Sequence, residues 1–100
     1  VAEYYDREGK PIDMDTWLSL WRDVTYKVIR KTMVGDVLVS TVWLGIDHAF
    51  GYSERPLIFE TMLFVGAEGD EMYRYYTEAE ALADHDRLVE QLRMVKAAVE

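Results

Sequence analysis

Between Val37 and Ile46 the chain reads VLVSTVWLGI, apolar at nearly every position and rich in β-branched residues. β-branched side chains crowd a helix, and a strand with one wet face would alternate apolar and polar residues. The run is therefore expected to be a central strand, with something packed on each side of it. The rest of the chain has to be arranged around that strand.

Immediately upstream, VTYKVIRKTMV is β-branched with charges interleaved, which suits a strand from Val24 with one wetter face. The pair Gly35-Asp36 between the two runs suits a two-residue turn. A turn there sets Val34 against Val37, Thr32 against Val39, Arg30 against Thr41 and Val28 against Trp43. Downstream, LIFETMLFV is a second nearly continuous apolar strand, interrupted by Glu60 and Thr61. GAEGDE, with Gly66 and Gly69, then turns the chain into MYRYY. Four strands in this order form an antiparallel meander.

Helices are signalled at both ends. AEYYDREGKPID reads as a short hairpin turning near Gly9, and Asp13 is a good N-cap for a helix over 14–22. Met14, Trp17, Leu18 and Trp21 recur there at helical spacing, and Ile12 and Trp17 occupy the two places joined by a hydrophobic staple. Near the other end, Thr77 and Glu80 make a capping box that opens a helix from about 78 to 98. Ala81, His85, Leu88, Leu92, Val95 and Val99, widened by Leu82 and Val89, form its sheet-facing stripe, with His85 on or beside the buried face. The expected architecture is α+β: a four- to five-stranded, mainly antiparallel sheet, a short N-terminal helix and a long C-terminal helix packed on the sheet. At 100 residues the chain is one domain with one core.

Composition narrows function by exclusion. With 19 Asp and Glu against 11 Lys and Arg, a net charge of -8 argues against nucleic-acid binding, which depends on neutralising phosphates. The absence of cysteine excludes thiolate zinc sites, iron-sulfur clusters and cysteine nucleophiles. No stretch reads as a leader or as a membrane span, so a cytoplasmic protein without membrane attachment is expected. The segments YYDREGKPID, VSTVWLGIDHAFG, PLIFETMLF and YRYYTEAEALADHDRLV, which cover the chain from Tyr4 to about Arg93, are similar to small hypothetical proteins encoded by bacteriophages and prophages, especially of actinobacteria. That resemblance implies an accessory protein acting in the host cytoplasm and supplies no mechanism.

Asp47, His48, Glu60 and His85 hold the chemistry an enzyme would need. Two imidazoles with carboxylates suit a zinc, iron or manganese site, or a carboxylate-oriented histidine base. Each also has a structural role open to it: Asp47 and His48 anchoring a long loop over 47–56, His85 packing with its nitrogens satisfied, and Glu60 pairing with Arg30 or Arg74. Ser40 and Thr41 lie in mid-strand, G-x-S-x-G does not occur, and the glycines form no phosphate-cradling loop, so no catalytic residue and no cofactor is assigned. Trp17, Trp21 and Trp43 suit the core. Tyr73, Arg74 and Tyr75 on an edge-like strand, with Phe50 and Tyr52 in the loop, have the composition of a binding surface.

The expected function is non-enzymatic: a phage accessory protein that binds a host or phage protein, with a homodimer as one form. The alternative is a small metal-dependent or histidine-based enzyme using Asp47, His48, Glu60 and His85. An acidic DNA mimic or a virion structural component comes third.

Overall fold

The structure is a computed structural model that describes residues 3–47 and 55–99. In chain order its elements are β1 (Tyr4–Tyr5), β2 (Pro11–Ile12), α1 (Met14–Trp21), α2 (Val24–Lys27), β3 (Val28–Val34), β4 (Val37–Trp43), β5 (Phe59–Val65), β6 (Glu68–Tyr75) and α3 (Glu78–Val99). The long strands form one antiparallel sheet in the order β3-β4-β5-β6, the meander expected from their order in the sequence. β1 and β2 pair separately and join the end of β4 through a bridge between Tyr4 and Ile46.

The hairpin at Gly35-Asp36 brings Val34 opposite Val37, Thr32 opposite Val39 and Arg30 opposite Thr41, as expected. Val28, however, meets Val42 rather than Trp43, because the register shifts between Val28 and Arg30. An extra residue in one strand of a pair displaces every partner beyond it by one. The expected strand also starts late. Val24–Lys27 is a helical turn whose N-cap Asp23 accepts a hydrogen bond from the Tyr26 amide at 3.2 Å. Here a local cap outweighs β propensity over a short stretch. At the other hairpin β6 begins at Glu68, so Gly69 lies in the strand and the turn is shorter than expected.

α1 and α3 start where the caps place them. Asp13 accepts from the Thr16 amide at 2.8 Å, and Thr77 from the Glu80 amide at 3.1 Å. α3 crosses one face of the sheet and closes two apolar clusters. Val34, Val39, Leu63 and Val89 form one of them. Trp43, Ile58, Phe59, Tyr75 and Ala81 form the other, near the start of α3, where α1, α2 and the first hairpin add Tyr5, Trp17, Leu20, Trp21 and Tyr26. There Trp17 stacks on Trp21 at 5.4 Å and Tyr26 meets Trp43 edge-on at 5.0 Å. Arg7 ties this end together, gripping both carboxylate oxygens of Glu78 at 2.7 and 2.8 Å and donating to the Tyr26 carbonyl at 3.1 Å.

The apolar stripe of α3 outruns the sheet beneath it. Ala81, His85, Leu88 and Val89 are buried, whereas Val95 and Val99 are exposed. A helix of 22 residues spans about 33 Å, and a strand of 7 residues about 23 Å, so the last turns of α3 pass beyond the sheet.

The two-sided covering expected for β4 is met on one side only. Val39, Thr41 and Trp43 lie beneath α3 and are fully buried. On the opposite face Leu38, Ser40 and Val42 alternate beside Met62, Phe64 and Met72; Ser40 is buried among its neighbours and Leu38, Val42, Met62 and Phe64 are half-buried, while the described helices pack against the other face. Met33 remains 60% exposed there and Met72 49%.

Candidate functional site

His85 is the side chain whose surroundings most resemble a site. Its place in the stripe of α3 turns it onto the sheet, and it is fully buried. An imidazole in that position must find hydrogen-bond partners, because a buried polar nitrogen without one is costly. Threonines of the two nearest strands supply them. Thr32 Oγ1 of β3 lies 2.8 Å from Nε2, and Thr41 Oγ1 of β4 lies 2.7 Å from Nδ1. A hydroxyl can donate or accept, so the neutral ring is satisfied in either tautomer.

The chain of bonds continues across the sheet. Thr41 and Thr61 are direct cross-strand partners with their hydroxyls 2.5 Å apart, and Thr61 bonds the Tyr75 hydroxyl on β6. Tyr75 donates to Asp84 on α3, which also accepts from Arg87 Nε at 2.5 Å. Each strand of the sheet thus contributes one polar group, and both ends of the chain of bonds return to the helix. Burial and the Asp84 carboxylate push the Tyr75 phenol well above its usual range. Burial also works to raise Asp84, but the bonds from Arg87 and Tyr75 outweigh it and hold the carboxyl below 3.8. Burial keeps His85 below 6.5, with the Arg30 guanidinium adding to the effect and Asp86 opposing it. Among the described residues no buried side-chain nitrogen or oxygen lacks a partner.

The network fixes the helix on the sheet. The other residues weighed as catalytic lie elsewhere. Glu60 alternates onto the uncovered face of the sheet, opposite the face that holds His85, and pairs with Arg74 at 3.3 Å. Of its two expected partners, Arg30 is instead bound to Asp86 on α3 at 2.6 Å. Asp47 accepts from the Leu57 amide at 3.0 Å and closes the base of the loop between β4 and β5, the anchoring role expected for it. His48, Phe50 and Tyr52 lie outside the described residues. With the sheet standing between Glu60 and His85, those two cannot share a metal or a substrate. Among the described residues no three His, Asp or Glu side chains converge as metal ligands.

The expected binding residues divide in the same way. Tyr75 is a correction, since it is a core residue beneath α3 rather than a surface tyrosine. Residues two apart on a strand share a face, so Tyr73 turns toward the helix with it. Tyr73 is half-buried, donates to Glu71 and lines an open groove of about 240 Å³ between α3 and β6 with Leu63, Leu88, Leu92 and Val95. Arg74 points the other way, onto the uncovered face, with its Glu60 partner. The threonine network escaped sequence reasoning because Thr32, Thr41 and Thr61 read simply as strand formers. A signal was available, since a histidine facing a sheet needs polar partners and strand threonines can supply them.

Comparison with protein-family models, with curated proteins and with solved structures finds no match. No helix among the described residues is long and apolar enough to cross a membrane.

The anchoring role of Asp47 is directly testable. Asp47→Ala leaves the Leu57 amide without this acceptor and is expected to cost about 1–2 kcal/mol, read from the shift in urea midpoint. Hydrogen exchange at the Leu57 amide should accelerate in the same variant.

Proposed function

We propose that this chain works by binding protein and has no active site of its own, as a small accessory protein of the phage and prophage type acting in the host cytoplasm. The observation that supports binding is the uncovered face of the sheet. β4 is built of side chains suited to burial on both sides, yet α3 covers only one. Apolar side chains gathered on a single open face mark a contact with another macromolecule, whereas scattered ones need no explanation. The fully bonded His85 network and the separation of Glu60 from His85 weigh against the enzymatic alternative.

A photoreactive amino acid in place of Met62, in the middle of the open face, tests this in expressing cells. Covalent protein adducts are expected at Met62, either with another protein or with a second copy, and few or none from the same group at Ser19 on the outer side of α1. Irradiation that yields no adduct at Met62 would sink the proposal.

A further inference from the structure

We infer that the occupant of the open sheet face is a second copy of this chain, packed sheet against sheet. This rests on the proposal that the face is a protein contact, and adds the identity of the partner.

Charge supports the choice. The chain as a whole carries -8, so two copies repel one another over most of their surfaces. The open face is different in charge and character. Among the described residues, the charged side chains that alternate onto it are Lys31, Glu60 and Arg74, with Asp70 at the register shift of β6, and Glu60 and Arg74 are already paired with each other at 3.3 Å. An acidic molecule can meet its own copy there because the Glu60 carboxylate of each is already paired with Arg74, and a basic partner would find its counter-charges elsewhere.

Shape and size support it as well. Phe64 lies opposite Gly69, where a Cβ would meet Met62 Sδ at 2.6 Å and Phe64 Cε1 at 3.2 Å. The glycine therefore lets both side chains lie down across β6, which flattens that side of the face. Sheets pack about 10 Å apart with their strands within about 30°, and unbranched methionines such as Met33, Met62 and Met72 adapt to an imperfect fit. Four strands of 7 to 8 residues present a footprint of about 20 by 23 Å. Two copies would cover about 900 Å² in projection, before side-chain relief is counted, which places the contact with small, weakly held interfaces just below about 1,000 Å².

Sedimentation equilibrium on the purified chain from about 1 to about 500 μM tests the inference, with dissociation expected in the micromolar range. Met33→Glu combined with Met72→Glu should weaken the dimer by about 100-fold, because carboxylates would be buried without partners. Both positions are exposed in the single chain, so the fold should survive, and near-ultraviolet circular dichroism of the tryptophans checks that it does. Val95→Glu, on the helix side, should leave association unchanged. A wild-type chain that stays monomeric throughout the range overturns the inference, as does a dimer dissociated by Val95→Glu and untouched by the methionine pair. A monomer that still cross-links another protein through Met62 would remove the second copy and leave the binding proposal standing. A monomer with no adduct would remove both.

Discussion

Alanine at Gly45 is expected to destabilise the protein by about 3–5 kcal/mol, read as a lower urea midpoint at unchanged slope. Gly45 sits just beyond β4 with φ at +74°, a conformation that costs other residues roughly 1–2 kcal/mol. Space makes matters worse. A Cβ there would run into the Trp43 ring and come within 2.7 Å of Cδ1 and Nε1 of Trp17. Neither indole is free to retreat, since Trp17 Nε1 donates to the Leu44 carbonyl at 2.9 Å and Trp43 Nε1 to the Tyr5 carbonyl at 3.1 Å. Gly66 provides the control, because it shares the positive φ but has nothing within 4 Å of the added carbon. Gly66→Ala should cost only about 1 kcal/mol, so the difference between the two variants measures the packing of the tryptophans. Against a total of about 5–15 kcal/mol for a domain, Gly45→Ala should leave little native protein at elevated temperature.

His85→Ala is the second large effect, again about 3–5 kcal/mol. It opens a cavity between α3 and the sheet, removes the His85 partner of the Thr32 hydroxyl and leaves Thr41 bonded to Thr61 alone. Replacing the ring and both hydroxyls together, as His85→Leu with Thr32→Val and Thr41→Val, should cost less than the single truncation. Removing the ring alone leaves hydroxyls short of a partner, whereas removing all three groups leaves an apolar contact, with Thr61 still bonded to Tyr75.

The same residue makes stability depend on pH. Burial, aided by Arg30 and opposed by Asp86, holds the imidazole below 6.5 in the folded chain. Between that depressed value and 6.5 the unfolded chain binds a proton that the native chain does not, so the native state is favoured more as pH rises. The stability associated with His85 is therefore complete above pH 6.5 and is lost as pH falls below it. Asp84, depressed by Arg87 and Tyr75, contributes a separate loss below pH 3.8. Denaturant midpoints for the wild type and His85→Ala, measured from pH 4 to 8, should converge as the pH falls. A constant difference between them would show that the ring does not titrate with unfolding.

Much of this arrangement was legible residue by residue. Asp13 and Thr77 mark the helix starts because a short acceptor side chain satisfies amides that no earlier turn can reach. Gly35-Asp36 sets the first hairpin because few pairs take that turn, and its register followed as far as Arg30. Beyond Arg30 the register shift is invisible, since nothing in Val28 or Ile29 announces an extra residue. The helical turn at Val24–Lys27 was missed in favour of β propensity because its one strong signal, the Asp23 cap, acts over a single turn.

For the candidate site the sequence supplied residue types but not their sides. Asp47 could be placed as a loop anchor because its bond is local, to Leu57 across the base of the loop. Glu60 and His85 could be grouped as one site only so long as the sheet between them was unseen. By itself the sequence determined the long strands and the helices at both ends, their order, the meander and a helix stripe containing His85, all of which follow from hydrogen bonding and periodicity over short stretches. Tertiary structure alone decided that His85 would meet Thr32 and Thr41, that Tyr75 would be buried, and that one face of β4 would stay open. Those outcomes depend on which side of the sheet a single long helix covers, and because strand residues alternate, that choice sends every second side chain to the core and its neighbour to the open face.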